Sequence, residues 1–278
     1  MKIAVTGAGG FVGRALTAEL MQRGVDTVAV VRSGSDAASI VGCSTVRLDV
    51  QKPPPDAFER LGRPDALVHL AWGGLPNYRS LHHVEQELPA HYRFLGDLVR
   101  AGLPSLVVAG TCLEYGMQSG ALGESLSTHP ANPYAFAKDA LRRQLEFLKG
   151  ERGFALTWAR LFYLYGEGQA EASLLSQLRR AVARNDKAFN MSGGEQLRDY
   201  LSVGEAARDL ASLAIEGHDA GPVNVCSGRP VSVRRLVETW LRDNGWAIEL
   251  NLGHYPYPDY EPMAFWGERR KLDAILGT

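Results

Sequence analysis

Tyr134 and Lys138 stand four residues apart in Pro133-Tyr134-Ala135-Phe136-Ala137-Lys138, a spacing that puts a phenol beside an ammonium on one helix face. Pro133 suits a first helical turn, so the pair is expected at a helix start. A neighbouring cation favours phenolate and would draw a tyrosine pKa from ~10 toward neutrality, where the group can exchange a proton with a reacting oxygen. Upstream, Thr111 lies in Gly110-Thr111-Cys112-Leu113-Glu114-Tyr115-Gly116, directly after the apolar run Leu106 to Ala109. Ligands of open parallel sheets bind beyond the carboxyl ends of strands, so a hydroxyl there can hydrogen-bond a reacting carbonyl. Each residue alone also fits a plain role: an exposed tyrosine, a solvated lysine, a strand-end cap.

What gives them weight is the other end of the chain. Gly7-Ala8-Gly9-Gly10-Phe11-Val12-Gly13 follows the β-branched run Lys2 to Thr6 and opens a helical pattern. Gly7 can make the tight turn, Gly10 leaves room for a pyrophosphate, and Gly13 allows close packing of helix on sheet. The first amides of the helix, at Phe11 and Val12, offer free N–H groups and a positive dipole end to phosphate. A dinucleotide is the expected ligand. At the end of the second strand a carboxylate would favour NAD, but Val30-Val31-Arg32 brings an arginine suited to a 2′-phosphate. NADP(H) is therefore favoured over NAD(H), with a solvated surface arginine as the plain reading of Arg32.

The elements that must position these residues alternate. Apolar helical spacing over Phe11 to Met21 ends at Gly24, and strand-like runs recur at Val25–Val31, Val46–Leu48, Ala66–Leu70, Leu106–Ala109 and Phe154–Trp158. Helices are expected at Val84–Arg100 and Pro133–Lys149. The fold class is α/β, a doubly wound parallel sheet of Rossmann type with a smaller C-terminal lobe. Residues 1–163 are expected to form the nucleotide-binding domain and 164–278 mainly a substrate lobe. Helices are expected there at Val203–Ile215 and Val233–Asn244, and strands near Arg198–Leu201 and Pro222–Val225 are candidates to return to the main sheet.

Composition bounds the rest. With 30 Lys and Arg against 31 Asp and Glu, the net charge of −1 points to neither a nucleic-acid nor a membrane partner. Three scattered cysteines, Cys43, Cys112 and Cys226, suit neither a disulfide framework nor a zinc site. The N-terminus lacks a signal-peptide pattern, and a cytoplasmic location is expected.

The GxxGxxG spacing in Thr6 to Gly13 resembles the extended branch of the short-chain dehydrogenase/reductase family, the epimerase/dehydratase type. The resemblance implies that Asp49 and Val50 contact adenine and that Leu70 and Ala71 line the cofactor's ribose side. It also implies a Thr111–Tyr134–Lys138 triad, with Thr111 in the family's Ser/Thr-x-x-x-Tyr-Gly loop. Where the nucleotide-sugar 4,6-dehydratases carry Asp-Glu, this chain has Cys112 and Leu113, which argues against dehydration. Tyr163 stands where a substrate-contacting Asn is usual. Arg198-Asp199-Tyr200 is similar to the family's Arg-Asp-Phe/Tyr, whose arginine meets the substrate diphosphate; a structural Arg–Asp pair is the alternative. Asn224-Val225-Cys226-Ser227-Gly228 is similar to a further family segment.

The function so implied is NAD(P)H-dependent reduction of an NDP-4-keto-6-deoxyhexose at C4, with substrate contacts at Thr111, Cys112, Tyr163 and Arg198. A 4-epimerase with tightly held NAD and a non-catalytic NADP-binding regulator are the alternatives. The resemblance also implies a homodimer formed through the helices at Val84–Arg100 and Pro133–Lys149.

Overall fold

The computed structural model describes residues 1–32, 42–257, 259 and 261–277. The first half of the chain alternates strand and helix. In order it contains β1 (Lys2–Thr6), α1 (Phe11–Gln22), β2 (Asp26–Val31), β3 (Ser44–Arg47), α2 (Ala57–Arg60) and β4 (Ala66–His69). A π-helical segment, His83–Glu87, then leads into α3 (Leu88–Arg100) and β5 (Ser105–Thr111). A 3-10 turn (Cys112–Tyr115), β6 (Gly120–Leu122), α4 (Pro133–Glu151) and β7 (Ala155–Leu161) complete this half.

Seven strands form one sheet, with β11 (Gly221–Val225) on its edge, in the order β11-β7-β5-β4-β1-β2-β3, and every pair is parallel. The connections reverse direction between β1 and β4, which is where a doubly wound sheet opens a crevice for a ligand. Both faces are covered. Ile3, Val5, Leu16, Leu20, Leu210 and Leu213 share one core, while Ala4, Phe94, Leu98, Leu141, Leu145 and Trp158 share the other. Burial on both faces is why these strands read as continuous apolar runs.

The later chain adds β8 (Tyr163–Tyr165), α5 (Leu174–Ala183), β9 (Ala188–Asn190), β10 (Leu197–Ser202) and α6 (Val203–Glu216) ahead of β11. After it come β12 (Pro230–Ser232), α7 (Val233–Asn244), β13 (Glu249–Asn251), β14 (Phe265–Gly267) and α8 (Arg270–Leu276). Of the two strands that the sequence offers to the main sheet, only Pro222–Val225 joins it, beside β7. The Arg198–Leu201 strand lies instead in a separate sheet of order β12-β10-β8. α6 packs against α1 on the main sheet, whereas α5 and α7 build a smaller core with Leu178, Phe189, Val237 and Trp240. Among the described residues no helix is long and apolar enough to cross a membrane.

Candidate active site

β1 ends at Thr6 and the chain turns at Gly7, whose φ is +70°; a Cβ there would lie 2.8 Å from the Ala71 amide nitrogen. Gly10 N–H donates to Gly7 O (2.9 Å) and closes the turn. Gly10 is also the N-cap of α1 and supplies no side-chain cap, so the first-turn N–H groups are available to an anion. Gly9 faces open space, with nothing within 4 Å of a Cβ built on it. This glycine cradle opens on a crevice of about 490 Å³. Its walls include Gly7, Gly9, Gly10, Arg32, Asp49, Val50, Leu70 and Ala71, as the sequence expects, together with Gln51, Trp72, Glu87 and His91, which it does not. Phe11, Val12 and Gly13 lie in the first turn of α1 behind the wall. Bare amides, an open glycine face and an arginine in the wall fit a dinucleotide and its pyrophosphate.

Gly13 packs on the loop itself: a Cβ would come within 2.1 Å of Gly7 O and 2.7 Å of Ala8 Cα. Both obstacles are backbone, so Gly13→Ala must push the cradle open. Such overpacking costs about 1–3 kcal/mol, and dinucleotide affinity is expected to fall roughly ten- to a hundredfold by calorimetric titration. Undiminished affinity would show that the phosphates rest elsewhere.

Thr111, Tyr134 and Lys138 come together at the carboxyl edge of the sheet. α4 begins with Asn132, whose side chain accepts from Ala135 N–H (2.9 Å), and Pro133 fills the next position. Tyr134 N–H donates to Tyr78 O (3.1 Å), and the phenol ring is 8% exposed among Trp72, Tyr78 and His83, at centroid distances of 6.0, 5.4 and 5.3 Å. Burial pushes the phenol above its ordinary pKa, helped by the Glu114 carboxylate; the nearby Thr111 side chain pulls the other way. The sequence expects a phenol drawn toward neutrality by Lys138 together with the positive charge of a bound nicotinamide. In the chain alone, desolvation in this enclosed place sets the direction, and Lys138 is itself destabilised by burial. Lys138 is 2% exposed, and burial brings its pKa down to about 7 against the favourable fields of Glu114 and Glu87. Its ammonium donates to Ala109 O (2.9 Å) and sits 4.0 Å from the centre of the Trp72 ring.

Glu114 holds this edge from behind. Its carboxylate is fully buried and accepts from Thr111 N–H (2.9 Å), Trp158 Nε1 (2.9 and 3.1 Å) and Arg160 Nε (2.8 Å). The Thr111 hydroxyl accepts from Leu113 N–H (3.3 Å), so threonine and glutamate cap one turn reciprocally. Burial pushes the Glu114 carboxyl up, against the pull of Arg160. Glu114 lies three residues after Thr111 in the same loop, a residue that the sequence reading missed. Its spacing of three from Thr111 is the capping-box signal that could have found it.

The expected substrate residues gather beside this edge. Tyr163 donates to Glu261 Oε1 (2.5 Å), and Arg198 reaches Glu261 Oε2 (3.1 Å), Leu197 O (2.9 Å) and Met263 O (3.2 Å). Arg198 does not pair with Asp199. The Asp199 carboxylate instead collects Ser227 N–H, Ser227 Oγ, Gly228 N–H and Gly267 N–H, pinning the loop after β11 to β14. Asn224 is likewise structural, accepting from Tyr115 OH (2.8 Å) and donating to Leu122 O (2.7 Å). Cys112 is buried against Phe162 and Cys226, and burial pushes its thiol up. It has no acid–base capacity near neutral pH.

Residues 3–226 match the NAD dependent epimerase/dehydratase family. The chain belongs to that family. It is an NAD(P)-dependent oxidoreductase acting at CH–OH carbons. Among its relatives, the dTDP-6-deoxy-L-talose 4-dehydrogenase (NAD(+)) of Aggregatibacter actinomycetemcomitans is 28% identical over 97% of this chain and 100% of its own. The dTDP-6-deoxy-L-talose 4-dehydrogenase (NAD(P)(+)) of Kitasatospora kifunensis is 26% identical over 93% and 83%. Among solved structures, MoeE5 in complex with UDP-glucose and NAD is 28% identical, with a TM-score of 0.83 over 100% of this chain and 92% of its own.

Proposed function

We propose that this chain reduces the C4 ketone of an NDP-4-keto-6-deoxyhexose and prefers NADPH. The observation that carries the proposal is a buried phenol at Tyr134, grouped with Thr111 and Lys138, while Cys112 and Leu113 supply no acid–base pair. A phenol held neutral is a proton donor at rest, which ketone reduction requires. A bound nicotinamide supplies the hydride. Tyr134 donates its proton to the C4 oxygen, Thr111 orients that oxygen, and Lys138 holds positive charge beside the phenol as it ionises. Cofactor binding falls to Gly7, Gly9, Gly10 and the first turn of α1, with Arg32 favouring a 2′-phosphate. The similarity to two talose 4-dehydrogenases supports the choice of C4 and of a 6-deoxy sugar nucleotide. Tyr163 and Arg198 would meet the sugar and diphosphate, with Glu261 displaced from the arginine.

A pair of chains would dock through α3 and α4; α4 leaves Phe136 and Phe147 exposed on one face, about three turns apart. The functional test follows absorbance at the reduced-nicotinamide band with a panel of NDP-4-ketosugars. Stoichiometric oxidation of added NADPH, faster than of NADH, is the expected result. Purified protein that carries NAD and interconverts C4 epimers with no net absorbance change would replace this reading with a 4-epimerase.

A further inference from the structure

Trp72 follows Ala71 in the loop after β4. Its indole is held from two sides. Nε1–H donates to His83 Nδ1 (3.1 Å), which leaves His83 Nε2–H to donate to Asn77 O (2.9 Å). The His91 imidazole stacks on the indole, with centroids 4.6 Å apart and planes 25° apart. His91 is itself fixed: Nε2–H donates to Glu87 Oε2 (2.9 Å), and Nδ1 accepts from His69 Nε2 (2.6 Å). Glu87 also collects Gly73 N–H (2.7 Å), His82 Nε2 (2.9 Å) and Gln51 Nε2 (2.5 Å). A hydrogen-bonded network therefore sets the plane of an aromatic ring, and the Lys138 ammonium lies 4.0 Å from that ring's centre.

We propose that Trp72 is a positioning residue whose indole face holds the Lys138 ammonium, charged and in place, beside Tyr134. The proposal rests on the reading of Lys138 as a member of the Thr111–Tyr134–Lys138 group. The need is physical. An ammonium offers three donors, and among the described residues Lys138 has one hydrogen bond, to Ala109 O. An electron-rich ring face compensates a desolvated cation without competing for its remaining protons, which stay available to a bound ligand. The ionisable groups around it are Glu114 after β5, Glu87 before α3, His69 on β4, His91 on α3 and Tyr134 on α4 itself. The two carboxylates favour the ammonium. Burial lowers both histidine pKa values, and Lys138 lowers them further, so the imidazoles bring no competing charge near neutral pH.

The test reads Lys138 directly. The chain has six lysines, so ¹³Cε-lysine NMR resolves them, and Lys138→Met assigns the signal. In the full chain the Lys138 midpoint should lie near 7. Trp72→Leu, apolar but without a π face, should lower it by about one pH unit; Trp72→Phe should stay close to wild type. If Trp72→Leu does not fold, replacing the tryptophans by 5-fluorotryptophan weakens the ring face at constant shape and should move the midpoint the same way. An unchanged or raised midpoint overturns the proposal and leaves Trp72 as packing. With a 4-ketosugar substrate, the alkaline limb of kcat should move down with the NMR midpoint while KM stays within a factor of two; a stationary limb also overturns it. A wild type inert toward every sugar nucleotide would overturn the functional reading, and the NMR shift would still decide the role of Trp72.

Discussion

Replacing Tyr134 with phenylalanine is expected to lower kcat about a thousandfold while dinucleotide affinity stays within a few-fold. A positioned general acid contributes roughly 10²- to 10⁴-fold, and this phenol is a protonated donor hydrogen-bonded at Thr111. Phenylalanine preserves the rest of the residue's setting. The ring keeps its contacts with Trp72, Tyr78 and His83, and the backbone N–H still donates to Tyr78 O. Loss of turnover would therefore report on the hydroxyl and not on folding. Single-turnover oxidation of reduced nicotinamide, paired with a fluorescence titration of the cofactor, separates the two. A variant retaining a tenth of wild-type kcat would put the proton donor elsewhere. The pH profile adds a second check. Burial keeps the phenol protonated throughout the working range, whereas Lys138 is charged only below about 7. Reductive kcat should accordingly decline as pH rises through that value, because the cation that stabilises the developing phenolate is lost.

Glu114→Ala is expected to be the most destabilising single change near the site. Removing one partner of a buried ion pair costs about 3–5 kcal/mol, since the other charge is left without compensation. Here the stranded charge is Arg160, 2% exposed, whose Nη1 already lacks a hydrogen-bond partner among the described residues. Thr111 N–H and Trp158 Nε1–H lose their acceptor at the same stroke. At 2–4 °C per kcal/mol, calorimetry should show Tm falling by roughly 10 °C or more, with kcat reduced in the protein that remains folded. Glu114→Gln keeps an acceptor for Thr111 and should fall between the two. A Tm within 2 °C of wild type for the alanine variant would mean that water or a rearranged side chain replaces the carboxylate.

The sheet, the glycine cradle and the grouping of Thr111, Tyr134 and Lys138 are legible in the sequence because each leaves a local mark. Strands buried on both faces become apolar runs, as at Ala66–His69, and a turn that admits no Cβ demands glycine at 7 and 13. The link from His69 to the Glu87–His91 pair leaves no such mark. Glu87 and His91 share an i,i+4 spacing, but His69 lies on a strand 22 residues before His91, and only folding places their imidazoles 2.6 Å apart. For the same reason Arg198 could not be matched to Glu261, 63 residues away, and the adjacent Asp199 suggested the wrong pair. Short strands such as β9 and β13 carry too few residues for a period to show. The enclosure that raises the Tyr134 pKa leaves no local mark either, because charge is visible in a sequence and burial is not.

The place of β11 at the rim of the main sheet sets a timetable for synthesis. β7 leaves the ribosome with an open backbone edge, and its partner follows about 60 residues later, roughly 3–12 s at ordinary elongation rates. During that interval the nascent chain presents unpaired amides beside Trp158, the kind of template that recruits a second chain. Slow codons between Phe162 and Ala220 would lengthen the exposure, and expression yield should be sensitive to translation speed there.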